Sequence, residues 1–546
     1  MPCLTCFLGK RPAKGFEKTA DGLYRTTDSS PWSQDIEALR EWTPPPGHNH
    51  LSLGITIEGI RSFLSEIGWP ESFIRDRHEK MHWCNDAFGS QYHKGNGGTN
   101  LRGYDLGFAV RLFLQGRRKP LYAADDQDYA EFQELGAMDK SICEFLLARG
   151  SECVSTANVF YSHIQRKTIE RTLECMEAAR AAHRTALPEG ELYFWLDYFV
   201  LRQCMQDFEL PKIQQAIADI GCTVVELDNE PHAYLSRSFC VLEVYATVNS
   251  GARLLIQTDY VRAARMQSLL DSKPVQSQAA SSWDTEAKVV IDAFIEQTIG
   301  FAQMDEIVTK AMIGGAKKVM QSAHEEASSL TLQGIGLGPN DLPELTQLLH
   351  LSTTLKEVNL LHNQFDSPSA SALVAAAKKG GVISLIGPAL TDSVYDGSVY
   401  LSGQPADVIL LAGSADSLLH GVKQLCLNGC NLGGMAGEPG LGALLDTLDR
   451  GACPALETLA LARNKIGDTD VRTLVNMGMA NGALASLKRL YLANDCITDD
   501  GYRTLADALS KGALPALEDI DVAHKQRRHR QLVAACRQCG IAINDR

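Results

Sequence analysis

Two short stretches hold side chains whose type and spacing could do chemistry. The first is "LSRSFCVLEVYATV" over 235–248, a largely apolar run with one carboxylate, Glu243. Read as a helix with Ser236 as a plausible N-cap, it sets Phe239 and Cys240 one turn before Glu243. Ala246 and Thr247 lie one turn after it. That face is small except for Phe239. An aromatic ring four residues before a carboxylate could stack on a planar base while the carboxylate reaches a sugar. The same spacing also serves a plain helix in which Glu243 is partly exposed or pairs with Arg237.

The second stretch is "HEKMH" over 78–82. His78 and His82 stand at i, i+4 and could share one metal ion, with Glu79 as general base; this is the zinc-protease spacing. The surroundings favour an ordinary exposed helix rich in His and Glu. The preceding "RDR" is charged, and "WCNDAFG" does not continue as His-x-x-Gly-x-x-His. His93 could join only from the loop "YHKGNGG", so no metal is expected. The Gly-rich "GNGG" at 95–98 follows no strand and reads as a flexible turn. Ser162 and His163 are adjacent, with no assembled triad around them.

The elements that would position these groups change along the chain. Residues 1–50, ending in "TPPPGHNH", read as an irregular leader. Residues 51–150 show helical spacing punctuated by Pro, Gly and Asn, as a small helical domain would. From 153 short β-rich runs alternate with helical ones: "NVFYSHI", "RKTIERTLECMEAARAAH", "ELYFWLDYFV", "FELPKIQQAIADIG", "CTVVELD", the Glu243 stretch and "ARLLIQT". Strand alternating with helix predicts a parallel sheet covered on both faces. Ligands of such sheets bind beyond the carboxyl ends of the strands. Residues 271–325 read as a loop followed by a helical linker.

The last third, 326–546, is a repeat. "LKEVNLLHNQF" (355–365), "VKQLCLNGCNL" (422–432), "LETLALARNKI" (456–466) and "LKRLYLANDCI" (487–497) align with apolar residues at the first, fourth, sixth and last positions. The ninth position carries Asn363, Cys430, Asn464 and Asp495. An Asn or Cys there can satisfy backbone groups where the chain turns. This is the leucine-rich-repeat pattern, and its long strand-plus-helix units resemble the ribonuclease-inhibitor subclass. A weaker repeat begins near Ser329, and 382–421 is degenerate. Such a horseshoe offers a surface for a protein ligand.

Composition bounds the rest. The 546 residues are 45% hydrophobic and 22% charged, with a formal net charge of -14. An acidic chain is a poor partner for nucleic acid, and the basic run "HKQRRHRQ" (524–531) reads as a solvated helix face. No run approaches the ~18 apolar residues of a membrane span. "MPCLTCFLGKR" lacks the basic opening of a secretory signal, and Pro2 excludes myristoylation. Fifteen scattered cysteines fit free thiols in a reducing compartment. "CLTC" and "CRQC" lie at opposite ends and suggest no zinc site. A cytoplasmic protein is expected.

The order and spacing of "VFYSHI", "YFWLDYF", "IQQAIADIGCTVVEL" and "LSRSFCVLEV" over 153–270 are similar to the TIR domain, whose plant members carry a Trp-Cys-Leu-x-Glu-Leu run opening a helix. Here that run is Phe239-Cys240-Val241-Leu242-Glu243-Val244, with Phe239 where Trp is usual. "YFWLDYFVLRQ" and "LSR" also resemble fungal heterokaryon-incompatibility domains. "SHIQ" lacks the Arg of many relatives, and the loop after the second strand is not the familiar Gly-containing one. The resemblance implies a flavodoxin-like parallel sheet and cleavage of the nicotinamide–ribose bond of NAD+ as substrate, with no bound cofactor. It implies Glu243 as the catalytic carboxylate, with Phe239, Tyr161, Ser162 and, more weakly, Asp197 around the substrate. It also implies TIR–TIR self-association, which a non-catalytic adaptor would share. With the repeats, the combination suggests a sensing or signalling protein.

Overall fold

The computed structural model describes residues 41–67 and 139–544 except 166, 204–208, 228–230, 283–284, 388–397, 402–403, 415–418, 434–439, 480–481, 494 and 523–529. It also describes 16–18, 24–26, 38–39, 106–107, 110 and 114. The chain divides into two compact units, residues 1–317 and 318–546.

In the first unit a short antiparallel pair, Phe16–Lys18 with Tyr24–Thr26, lies within the segment read as irregular. The main sheet takes β1 (Leu53–Ile55), β2 (Val154–Thr156), β3 (Val159–Ser162), β4 (Phe194–Trp195), β5 (Cys222–Glu226) and β6 (Arg253–Gln257). Its spatial order is β2-β1-β4-β3-β5-β6. β4, β3, β5 and β6 run parallel; β1 adds antiparallel to the β4 edge, and β2 adds antiparallel to β1. β3 ("VFYS") and β5 ("CTVVE") are buried at every residue, as central strands of a sheet covered on both faces must be.

Helix α1 (Ile57–Glu66) follows β1, and α2 (Ile142–Ala148) precedes β2. So β1, α1 and α2 share one apolar core with the later strands: Ile55, Phe63, Phe145, Phe160, Phe194 and Phe199 are all buried in it. The boundary expected at 150 is therefore crossed by the sheet. β1 holds only three residues, and its partners lie about a hundred positions on, so helical spacing nearby masks it.

The crossover helices follow the sequence signals. α3 (Ile169–Ala182) starts at Thr168, whose side chain accepts from the Arg171 N–H. α4 (Asp197–Val200) is a single turn inside "ELYFWLDYFV". α5 (Leu210–Ile220) stops at Gly221, which takes φ +71°, open to glycine without strain. α6 (Pro231–Leu235) and α7 (Ser238–Asn249) precede β6. α8 (Tyr260–Ser272), α9 (Thr285–Thr298) and α10 (Phe301–Glu325) follow it.

In the second unit β7 (Ser329–Thr331) and β8 (Glu357–Asn359) pair in parallel. A six-stranded parallel sheet runs in chain order: β9 (Ser398–Tyr400), β10 (Gln424–Cys426), β11 (Thr458–Ala460), β12 (Arg489–Leu492), β13 (Asp519–Val522) and β14 (Ala542–Asn544). Helices alternate with the strands: α11 (Leu342–Leu351), α12 (Ser367–Gly380), α13 (Pro405–Gly413), α14 (Gly440–Asp449), α15 (Asp468–Thr473), α16 (Asp499–Ser510) and α17 (Arg530–Cys539). β9 and α13 occupy the stretch read as degenerate.

The ninth-position side chains do what the repeat requires of them. Asn363 Nδ2 donates to the carbonyls of Leu332 (2.8 Å) and Leu360 (2.9 Å). Asn464 Nδ2 donates to those of Leu427 (2.7 Å) and Leu461 (2.8 Å). The Cys430 thiol donates to the Leu401 carbonyl at 3.4 Å. No helix among the described residues is long and apolar enough to cross a membrane.

Candidate functional site

The four parallel strands place the site. The chain leaves β3 for β4 on one side and later returns to β5 on the other. The carboxyl end of β3 is thus a topological switch point, where open α/β sheets leave a crevice. Ser162 is the last residue of β3 and Glu226 the last of β5.

Helix α7 brings Glu243 to this end. Its N-cap is Arg237, one residue beyond the expected Ser236, and no side chain caps it. Backbone pairing fixes the start instead. Ser281 N donates to Ser236 O (2.7 Å), and Ser238 N donates to Ser281 O (3.0 Å). The Ser236 hydroxyl is engaged with the Ala233 carbonyl at 3.1 Å. One turn past Glu243, Thr247 Oγ1 donates to the Glu243 carbonyl (2.7 Å) and lies 2.8 Å from Thr223 Oγ1 on β5. That contact seats α7 on the face of β5 that carries Thr223.

Glu243 makes no ion pair with Arg237; its Oε2 accepts a hydrogen bond from the Ser162 hydroxyl. Ser162 Oγ is also bonded to the buried Tyr234 hydroxyl on α6. With the Ser162 proton directed at Glu243, Tyr234 is the donor of that second bond. Glu243 as a residue is half-buried, yet protein crowds its carboxylate closely. Burial pushes its acid up to about 7; the Ser162 hydrogen bond opposes this, the Asp197 charge adds to it and His163 opposes it. Phe239, one turn back on α7, is half-buried.

Asp197 opens α4 beside β4. Its Oδ1 accepts from Tyr198 N (2.8 Å) and from His163 Nε2 (3.2 Å), and its Oδ2 from Gln165. His163 Nδ1 is buried without a hydrogen-bond partner among the described residues. Burial alone would lower the His163 pKa. The Asp197 carboxylate, helped by Glu226 and Glu243, outweighs that and raises it.

Tyr161 takes a different course from Ser162. Successive strand residues face opposite sides of a sheet, so Tyr161 lies on the side away from Ser162. There its hydroxyl donates to Glu226 Oε2 at 2.8 Å. Lys167 Nζ completes a buried ion pair with Glu226 Oε1. Spacing does not reveal His163, Tyr234, Lys167 or Glu226. The one available signal was polar side chains at or just after the ends of apolar runs.

"HEKMH", His93 and "GNGG" lie outside the described residues. Among the described residues no group of His, Cys, Asp and Glu is arranged to hold a metal ion. Cys536 and Cys539 of "CRQC" are free thiols.

Comparison with known proteins bears on the second unit. A family model described as a Leucine Rich repeat matches residues 452–475, the segment of β11 and α15. No curated protein matches the chain. Among solved structures, a protein from Bacteroides fragilis is similar at 12% identity, covering 42% of this chain and 69% of its own, with a TM-score of 0.22. At that score the likeness carries no argument. A leucine-rich repeat suggests a protein-binding or signalling role.

Proposed function

We propose that the first unit is a TIR-like domain of flavodoxin-like order that hydrolyses NAD+. In the same reading, the leucine-rich unit binds a protein ligand. The observation that carries this is the placement of Glu243: a half-buried carboxylate held by Ser162 at the carboxyl end of β3, at the switch point. The order of the parallel strands, second-first-third-fourth, supports the fold part of the reading.

The chemistry follows from the charges. The bond between the ribose C1′ and the nicotinamide nitrogen breaks with both electrons going to nitrogen. Nicotinamide leaves neutral, so no acid is needed. Positive charge develops on the ribose, and the ionised Glu243 stabilises it, as carboxylates do in glycoside hydrolysis. Water adds to C1′ and releases a proton, giving ADP-ribose. Phe239 is placed to stack a substrate ring. Ser162, backed by Tyr234, orients the carboxylate, and the Asp197–His163 pair sets the local charge. Tyr161 acts through Glu226 and Lys167 to hold the end of β3. Domain self-association and a cytoplasmic setting belong to the same reading, the latter resting on the free cysteines.

The experiment is nicotinamide release from NAD+ by the purified full chain, with Glu243→Gln and His82→Ala alongside. Loss in the Glu243 variant alone supports the reading. Loss in the His82 variant instead would direct attention to a metal-dependent hydrolase. Absence of turnover at every protein concentration would leave a non-catalytic adaptor that works by self-association.

A further inference from the structure

One residue of the leucine-rich unit differs in chemistry from the others at its position, and the difference is independent of any NAD+ reaction. Asn363 and Asn464 each turn an amide N–H toward two carbonyls: that of the residue three positions before, and one from the preceding repeat. Cys430 turns a thiol toward the preceding repeat's Leu401 carbonyl. Every one of these is a donor.

Asp495 holds the same position one repeat further on. Its Oδ1 accepts from the backbone N–H of Asn464 (2.7 Å) and of Ile466 (3.1 Å). That is the acceptor half of the pattern, as Asn363 Oδ1 accepts from Leu337 N at 3.0 Å. The Oδ2 of Asp495 is buried and has no hydrogen-bond partner among the described residues. By the correspondence of repeats, this oxygen takes the place of the amide nitrogen, facing the carbonyls of Leu461 and Leu492. A carboxylate oxygen has nothing to donate there, and its charge is repelled by the carbonyl dipoles. A carboxylic acid has the O–H that the position requires.

We infer that Asp495 is the protonated member of this ladder, donating through O–H where its counterparts donate through N–H or S–H, and that its ionisation loosens the C-terminal repeats. The surroundings agree. Burial pushes the Asp495 acid up to about 7, against the pull of the N–H groups of Ile466, Asn464 and Lys465, and the charge of Asp470 on α15 adds to the rise. Tyr502 on α16 is pushed up to about 12 by burial together with the charges of Asp495 and Asp468. Of the titratable groups beside Asp495, Asp470 carries the charge that disfavours a further negative one, while Tyr502 stays neutral.

The sign is fixed by linkage. The folded value lies above the ordinary 3.8 of an aspartic acid. The stabilisation is therefore complete below that value and is lost as pH rises through about 7. Above that, the loss is constant.

The test compares the full chain with Asp495→Asn, and with Asp495→Cys as a second neutral donor patterned on Cys430. Thermal unfolding is followed from about pH 4 to about pH 8.5. Hydrogen exchange of the Asn464 and Ile466 amides is followed over the same range, corrected for intrinsic rate. The expected result is a gap in Tm between variant and wild type that widens in the variants' favour up to about pH 7 and then stays level. Exchange at the two amides speeds up over that range in the wild type only. A gap independent of pH, or exchange that accelerates equally in Asp495→Asn, would overturn the inference.

Discussion

In the proposed reaction Glu243 acts as an anion, and its surroundings resist ionisation. Burial and Asp197 together put its acid at about 7, so most of it is protonated in mild acid. Nicotinamide release should therefore climb by about tenfold from about pH 6 to about pH 8. A profile flat over that range would remove Glu243 from the rate-limiting step. Linkage gives the matching cost: the neutral form's advantage is complete below the ordinary 4.5 and lost as pH rises through about 7. Behind the site, Lys167 and Glu226 form an ion pair whose side chains are 5% and 0% exposed. Lys167→Met leaves a buried carboxylate uncompensated and should cost about 3–5 kcal/mol of stability. Urea unfolding measures it, and adding Glu226→Gln should recover most of the loss. Glu243 and Asp197 stood out in the sequence as lone carboxylates within apolar runs, and Ser162 as a polar residue at the edge of one. Tyr161 was legible as a strand end, but not the side it faces, since its neighbours in the sheet are set by pairing with β4 and β5. Tyr234 and Lys167 were not, because their partners lie 72 and 59 residues away.

At the scale of elements, local signals served well where one helix or strand closes on itself. Gly221 ends α5 as its position suggested. The four ladder positions were readable because a strand and its turn repeat the same few residues. Pairing between distant segments was not readable: β1 and β2 join the sheet through partners far along the chain, and β9 has only three residues in a stretch with a degenerate pattern. Packing between repeats sets a further demand that no pattern advertises. A Cβ on Gly380, at the end of α12, would stand 1.7 Å from the Leu349 carbonyl oxygen of α11. Backbone cannot yield as a side-chain tip can, so Gly380→Ala should destabilise the leucine-rich unit by about 1–3 kcal/mol. Gly381 beside it holds φ +75° with nothing within 4 Å of such a Cβ. Its alanine variant tests backbone conformation alone and serves as the comparison in the same unfolding measurement.

At the scale of the molecule, the second unit carries the leucine-rich repeat, which suggests a protein-binding or signalling role. The first offers a parallel sheet whose switch point holds a half-buried carboxylate, Glu243, and a part-buried Asp–His pair. The most direct measurement is nicotinamide release from NAD+ by the full chain and its Glu243→Gln variant, near pH 8 and over a series of protein concentrations. The account predicts release by the wild type that rises per mole with concentration, and none by the variant, with unfolding transitions that match. No release by the wild type at any concentration, or equal release by both proteins, would contradict it.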